Sequence, residues 1–215
     1  MGGSARAWRL GELELRIADL TLRPLDEAEL DELGSIVPDD MEFDPSIPQP
    51  FGLPGPQARA VAIRQEYWRR LGRWSPQDWA LPFAVRRDGH LLGTQILEGS
   101  QFTARRTVGS ASWLATGVRG TGVGKLMRTA VLALAFDGLG AEVAETEAWA
   151  DNAASLGVSR ALGYLSNGTS RHVVAATGAA ADMPRLRLTL ADWCNVPRPP
   201  VRITGLDGCR AWFGV

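Results

Sequence analysis

Alternating apolar and polar residues predict the first strands of this chain. The alternation runs over residues 13–17 and 20–24, and again over 81–87 and 90–97, where an Asp-Gly pair separates the last two segments. Such alternation is typical of half-buried strands, and Asp-Gly between two of them favours a hairpin. The pattern therefore predicts two pairs of antiparallel strands.

Apolar residues spaced three and four positions apart predict helices elsewhere. Long stripes of this kind cover residues 56–72 and 123–139. A shorter helix is expected over 153–162, with Asn152 as its cap. Another is expected over 26–34, because acidic residues suit the first turn of a helix. Four more strands are predicted, over residues 108–115, 143–149, 164–176 and 186–190.

Strand runs that interleave with single helices predict an α+β fold with a mixed sheet. We expect one domain over 1–215, with its core in 13–190. Two segments fall outside the regular pattern, a proline-rich loop over 36–56 and a tail over 191–215, which we expect to be irregular. Long loops in compact domains are often functional, so the proline-rich loop is expected on the side of a substrate.

Composition excludes several classes of function. The 215 residues include 23 basic and 24 acidic side chains, which argues against nucleic acid or an anionic membrane as the main partner. No apolar run is long enough to cross a bilayer, and we expect no secretory signal. The two cysteines are expected to be free thiols in a cytoplasmic protein. The two histidines lack metal-ligand spacing, so no metal is predicted.

One lysine stands among the 23 basic residues, and the other 22 are arginines. A GC-rich genome accounts for the scarcity of lysine but not for the position of the one that remains. Lys125 lies at the start of the predicted helix over 123–139, where a cation is unfavourable unless an anion is near.

A glycine-rich turn joins the strand over 108–115 to that helix. The turn reads R-G-T-G-V-G-K over residues 119–125. Glycines allow successive N–H groups to point at one spot, and a helix N-terminus attracts anions, so the segment predicts a phosphate cradle. It fits neither a Walker A loop nor a dinucleotide-binding fingerprint.

The segment resembles the acyl-CoA pyrophosphate loop of the GNAT superfamily, the Gcn5-related N-acetyltransferases, whose pattern is [RQ]-x-x-G-x-[GA]. Trp113-Leu114 before the turn is similar to the strand end of the RimJ/RimL-like branch. Residues 151–164, D-N-A-A-S-L-G-V-S-R-A-L-G-Y, resemble the N-x-x-[AS]…G-[FY] helix of the same family. The resemblance covers residues 13–190.

The resemblance implies a GNAT fold, in which helices flank a central sheet that is splayed at the acyl-CoA site. It implies an enzyme that moves an acetyl group from acetyl-CoA, or another acyl group from its CoA thioester, to an amine. The cofactor-binding residues that it implies are Leu114, Ala115, Thr116, Val118, Arg119, Gly120, Thr121, Gly122, Val123, Gly124, Lys125, Asn152 and Ser155.

Three residues are implied to take part in the chemistry. The backbone N–H of Leu114 would stabilise the oxyanion. Glu147 is the preferred base, because an acid facing a partly dry cleft can have its pKa raised. Ser159 stands where many family members have a tyrosine that protonates the thiolate, and serine is a poor acid. Alternatives for the base or for acceptor binding are Glu145, Ser112, Glu42 and Asp44.

The identity of the substrates stays open at this point. The acceptor is a small-molecule amine, a protein N-terminus or a lysine side chain, and a homodimer is compatible with the sequence. Succinyl-CoA is an alternative donor, for which Arg105 and Arg106 are candidates by position, because arginine pairs with carboxylates. The alternative function is a non-catalytic acyl-CoA-binding regulatory module.

Overall fold

The computed structural model describes residues 8–41, 52–174 and 177–215. Within these ranges nine strands form one sheet. The strands are β1 (Glu14–Ile17), β2 (Leu20–Pro24), β3 (Trp79–Arg87), β4 (His90–Gly99), β5 (Thr107–Leu114), β6 (Val143–Glu147), β7 (Leu165–Val173), β8 (Ala180–Thr189) and β9 (Val201–Thr204).

The order across the sheet is β7-β8-β6-β5-β4-β3-β2-β1-β9. All neighbours are antiparallel except β5 and β6, which run parallel. The α-helices are α1 (Leu30–Ile36), α2 (Gly55–Gly72), α3 (Phe102–Arg105), α4 (Val123–Ala133), α5 (Ala153–Ala161) and α6 (Leu190–Cys194). The predicted α+β fold with a mixed sheet is confirmed.

The two faces of the sheet bury separate apolar clusters. The larger cluster includes most of α4, which packs with Leu114 of β5 and with Ala144 of β6. The smaller cluster joins α1 and α2 to the other face, where Trp113 packs against it. Because side chains alternate along a strand, Leu114 and Trp113 point to opposite faces.

The parallel pair β5–β6 separates after three residue pairs. Thr107 to Gly109 pair with Val143 to Glu145, and the pairing stops there. Ser110 to Leu114 continue along β4 alone, with Leu114 opposite Gly93. A gap therefore opens between β5 and β6, closed at Gly109 and open beyond Leu114. This is the splay that the resemblance implies.

The C-terminal tail contains a strand that its composition did not predict. Val201–Thr204 forms β9 and pairs with β1, so the expectation of an irregular tail is wrong for these residues. β8 also begins earlier than predicted, at Ala180 rather than residue 186. Pro184 lies within it, and proline, which cannot donate to a ladder, argues against a strand in sequence-based reasoning.

We predict that Phe213→Ala destabilises the fold by roughly 3–5 kcal/mol, since large-to-small changes at fully buried aromatic residues leave a cavity. Phe213 is 0% exposed. Its ring contacts those of Trp74 and Trp79, with centroids 5.7 and 4.9 Å away. Chemical denaturation measures the loss. Trp68→Ala is the control, because Trp68 is 48% exposed, and an equal loss in both variants would contradict the prediction.

Candidate active site

Two glycines give the turn before α4 its shape. Gly120 and Gly122 have φ of 76° and 87°, a left-handed conformation that residues with a Cβ rarely adopt. A Cβ built on either glycine would meet nothing within 4 Å. The requirement for glycine therefore comes from the backbone, and the space in front of both residues is free for a ligand.

The first turn of α4 presents its N–H groups to that space. Gly122 is the N-cap residue and supplies no side-chain hydrogen bond. Its carbonyl accepts from the N–H groups of Lys125 and Leu126, and those of Val123 and Gly124 come before them in the turn. Uncapped N–H groups at the start of an eleven-residue helix form an anion site. Lys125 is exposed beside them.

Arg119 ties the glycine turn to its neighbours. Its Nη1 and Nη2 donate to the carboxylate of Asp40 at 2.7 and 2.8 Å, and its Nε donates to the carbonyl of Leu114 at 3.2 Å. In the same turn the Thr121 hydroxyl donates to the carbonyl of Val118. The start of the proline-rich loop, the end of β5 and the turn are thus held together.

The hydrogen bond from Arg119 holds the pKa of Asp40 below its usual value, and the same contact raises the pKa of Arg119. A carboxyl whose pKa is lower in the folded state than in the unfolded state stabilises the fold at pH values above its unfolded-state pKa. That stabilisation is lost as pH falls through the folded-state pKa. Both partners of the Arg119–Asp40 contact are therefore charged at neutral pH, and its contribution to stability is lost as pH falls through the lowered pKa of Asp40.

The backbone of Leu114 faces the gap. The N–H of Ala115 donates to the carbonyl of Leu92 on β4 at 2.9 Å. Successive N–H groups of a strand point to opposite sides, so the N–H of Leu114 points away from β4 and toward the gap. Ala115 and the turn Thr116–Val118 follow directly and lead into the glycine turn.

α5 brings three predicted residues to the same region. Asn152 caps the helix, because its side-chain oxygen accepts from the N–H of Ser155 at 3.0 Å. Ser159 is buried, and its hydroxyl donates to the carbonyl of Ser155 at 3.1 Å. A hydrogen bond from Ser159 to a ligand would require that hydroxyl to turn away from Ser155.

Glu145 and Glu147 lie on the face of the sheet opposite α4. They alternate along β6 with Ala144 and Ala148, which belong to the cluster that contains α4. The side chain of Glu147 is 39% exposed, more than a dry cleft would allow. Glu145 borders the closed end of the gap, opposite Gly109, and Glu147 lies two residues further along β6 toward the open side.

Glu147 belongs to a small polar cluster across β6, β8 and β7. The Ser170 hydroxyl donates to its Oε2 at 2.6 Å, and Nε2 of His172 lies 2.8 Å from the same hydroxyl and 3.5 Å from Oε1. Trp149 meets the His172 ring edge-on, with centroids 6.2 Å apart. Ser170 and His172 were not among the predicted residues, and no motif in the sequence marks them.

Several other predicted candidates lie elsewhere. Arg105 and Arg106 precede β5, so they stand at the end of that strand remote from Leu114. Their contact with the acyl end of a succinyl donor stays a prediction. Ser112 is half-buried on the face of β5 shared with Leu114. Glu42 and Asp44 fall outside the described residues.

A cavity of about 500 Å³ lies on the face of α2, at the closed end of the gap. It reaches Gly109 and Glu145, the last pair that β5 and β6 form. Arginines and carboxylates both line it, so it offers partners to a charged ligand. The charged lining residues are Glu66, Arg69, Arg70, Arg73, Asp78, Glu98, Arg105 and Glu145.

Arg128 is a further residue of this region that sequence reasoning missed. It lies on α4, four residues after Gly124, and is only 4% exposed. The sequence could have predicted its burial, because Arg128 falls within the apolar stripe of the helix, among Met127, Val131 and Leu132.

The family model for the acetyltransferase (GNAT) domain matches residues 19–165, more than half of the chain. The chain belongs to the GNAT family. The predicted resemblance is confirmed, as is the prediction of an N-acetyltransferase enzyme. Acyl-CoA is the co-substrate of GNAT enzymes, and the open turn, the uncapped helix start and the N–H of Leu114 fit such a ligand.

Solved structures of GNAT proteins share the fold at low sequence identity. RimJ from Mycobacterium smegmatis, in complex with CoA-disulfide, is 16% identical, with a TM-score of 0.69 over 94% of this chain and 95% of that one. The spermidine/spermine N-acetyltransferase SpeG from Vibrio cholerae is also 16% identical, with a TM-score of 0.63 over 82% of this chain and 96% of that one.

In the part of this GNAT protein that the structure describes, no helix combines the length and the apolar character that a membrane span requires. In the same ranges, no three His, Cys, Asp or Glu side chains come together as a metal site would need.

Proposed function

We propose that the protein transfers an acyl group from an acyl-CoA to an amine by direct attack of the amine on the thioester. The observation that carries the proposal is the gap between β5 and β6. The N–H of Leu114 points into it, the anion-binding turn lies on the side of α4, and the acids of β6 lie on the opposite face. Donor and acceptor can therefore approach one another from opposite faces of the sheet.

Different residues around the gap would bind different parts of the acyl-CoA. The N–H groups of the turn from Gly120 to Gly124 would hold the pyrophosphate, with the ammonium of Lys125 as a counter-charge. The end of β5, from Leu114 to Val118, and the cap of α5 at Asn152 would hold the pantetheine arm. An acyl-CoA held in this way presents the carbonyl carbon of its thioester for attack.

The chemistry would need one proton acceptor and a stabilised oxygen. The amine nitrogen bonds to the thioester carbon while the carbon–sulfur bond breaks, and Glu147 takes the proton that the nitrogen loses. The N–H of Leu114 would stabilise the negative charge that develops on the thioester oxygen. Ser159, once turned from Ser155, would donate to the departing sulfur.

The finer features of the proposal follow from the surroundings of the site. An amine acceptor is cationic in solution, which suits the carboxylates on the face of β6, and it gives up one proton to water before its neutral nitrogen attacks. A small-molecule amine, a protein N-terminus and a lysine side chain all meet this requirement. The free thiols of Cys194 and Cys209 support a cytoplasmic location, and a homodimer stays a prediction.

Release of CoA thiol in the presence of amines tests the proposal. We expect acyl-CoA turnover that depends on an amine, measured over a panel of polyamines, amino-acid amides and peptides with free N-termini. Isothermal titration of CoA provides the second readout. Failure to bind CoA, or binding without turnover on any amine, would contradict the proposed function.

A further inference from the structure

Arg128 carries a buried charge without a carboxylate beside it. It is 4% exposed, and its Nε and Nη1 have no hydrogen-bond partner among the described residues. No ion pair of those residues includes it. A guanidinium cannot shed its proton to escape the cost of burial. A buried group of this kind calls for an anion.

Two hydroxyl groups share the surroundings of Arg128. Tyr164 is 3% exposed, and neither its hydroxyl nor that of Ser110 on β5 has a hydrogen-bond partner among the described residues. Burial raises the pKa of Tyr164, against smaller opposing effects of the Arg128 charge and of donors on Arg128 and Ser110, which lie near the phenol oxygen without a hydrogen bond of good geometry. The phenol therefore keeps its proton at neutral pH. A guanidinium and two hydroxyls form a set of donors, and an ionised carboxylate only accepts.

The cluster of Arg128, Tyr164 and Ser110 lies at the closed end of the gap, on the face of α4. Ser110 is the first residue of β5 beyond its last pair with β6. Gly124, one helical turn before Arg128, faces Leu114, since a Cβ there would lie 3.9 Å from its Cδ1. Arg128 thus continues along the helix surface that borders the donor side of the gap.

The length of the gap selects a class of acyl group. Ser110 and Leu114 are four strand residues apart, about 13 Å. In a four-carbon dicarboxylic thioester, three carbon–carbon bonds and the two terminal oxygens span about 6 Å, and a hydrogen bond at each end adds about 3 Å. An acyl group of this length reaches from the N–H of Leu114 to the cluster, whereas an acetyl group stops well short of it.

We propose that Arg128, Tyr164 and Ser110 bind the terminal carboxylate of the acyl group, and that the preferred donor is a four-carbon dicarboxylic acyl-CoA. The inference rests on the proposed function. The reaction is the one described above: an amide bond forms as the carbon–sulfur bond breaks. The terminal carboxylate takes no part and is carried unchanged into the product. The carboxylate supplies the anion that the buried guanidinium lacks.

Succinyl-CoA, butyryl-CoA and acetyl-CoA provide the test, because butyryl has the same four carbons without the carboxylate. We expect kcat/KM to be about 10- to 100-fold higher for succinyl-CoA than for butyryl-CoA, as a hydrogen-bonded charge pair gives. Arg128→Leu should remove that preference, so that kcat/KM for succinyl-CoA falls to the value for butyryl-CoA. Tyr164→Phe, which removes one hydroxyl, should reduce the preference in part. Arg202→Leu, which removes an exposed arginine of β9, is the control for loss of a positive charge away from the gap.

Competition binding with the three thioesters gives the same comparison without turnover. Equal affinity and equal kcat/KM for succinyl-CoA and butyryl-CoA would overturn the carboxylate site while leaving acyl transfer intact. If Arg128→Leu lowered kcat/KM only with acceptors that carry a carboxylate, the cluster would belong to the acceptor site. That result would also overturn the proposal. If the unaltered protein did not bind CoA at all, the proposed function itself would be contradicted. Thermal unfolding of each variant excludes misfolding as the cause.

Discussion

Gly122→Glu is expected to abolish binding of CoA while the fold persists. The new side chain would enter the open space in front of the first turn of α4, where the pyrophosphate is proposed to bind. Its carboxylate would repel the phosphates, and the left-handed φ would be strained. Isothermal titration with CoA should show affinity reduced by at least about 100-fold, since both charge and space oppose the ligand.

Gly140→Glu separates these effects from general damage. Gly140 also has a positive φ, 70°, and open space at its Cβ, but it follows the helical segment at the other end from the turn. The strain and the added charge are therefore matched, and CoA binding should stay unchanged. Equal loss of affinity in both variants, or unchanged affinity in Gly122→Glu, would contradict the phosphate-binding assignment.

Glu147→Gln is expected to lower kcat/KM for the amine by about 10²- to 10⁴-fold, which is the usual contribution of a general base. The amide keeps the shape of the side chain and still accepts the hydrogen bond from Ser170, but it cannot take a proton at neutral pH. CoA affinity should be unaffected, because Glu147 lies on the face opposite α4. Steady-state kinetics with a fixed amine measures the effect.

Glu142→Gln is the matched control for this change. Glu142 is exposed immediately before β6, so the same loss of charge occurs outside the gap, and the rate should remain near that of the unaltered protein. If Glu147→Gln retained full activity above neutral pH, another group would have to be the base, and Glu145 on the same face is the next candidate.

The glycine turn could be predicted from sequence because its conformation is a local property. Gly120 and Gly122 stand where φ is positive, and the start of α4 follows at once. Local patterns also predicted the hairpin of β3 and β4 and the cap at Asn152. In each case the residues that decide the structure are neighbours in the chain.

Features set by distant contacts were not predictable in this way. β9 is a strand because β1, far away in the sequence, offers it a free edge. Glu147, Ser170 and His172 meet because β6 and β7 both pair with β8. Arg128 was visible as a charge in an apolar stripe, but only the fold places it beside Ser110 and Tyr164.

The position of Lys125 allows chemical labelling to report on whether the proposed phosphate site is occupied. It is the one lysine of the chain, and it lies exposed in the first turn of α4. Apart from the N-terminal amine, reagents that modify primary amines have a single target on the folded protein, at the proposed phosphate site. The extent of labelling at that residue thus measures how much of the site is shielded, without any engineered probe.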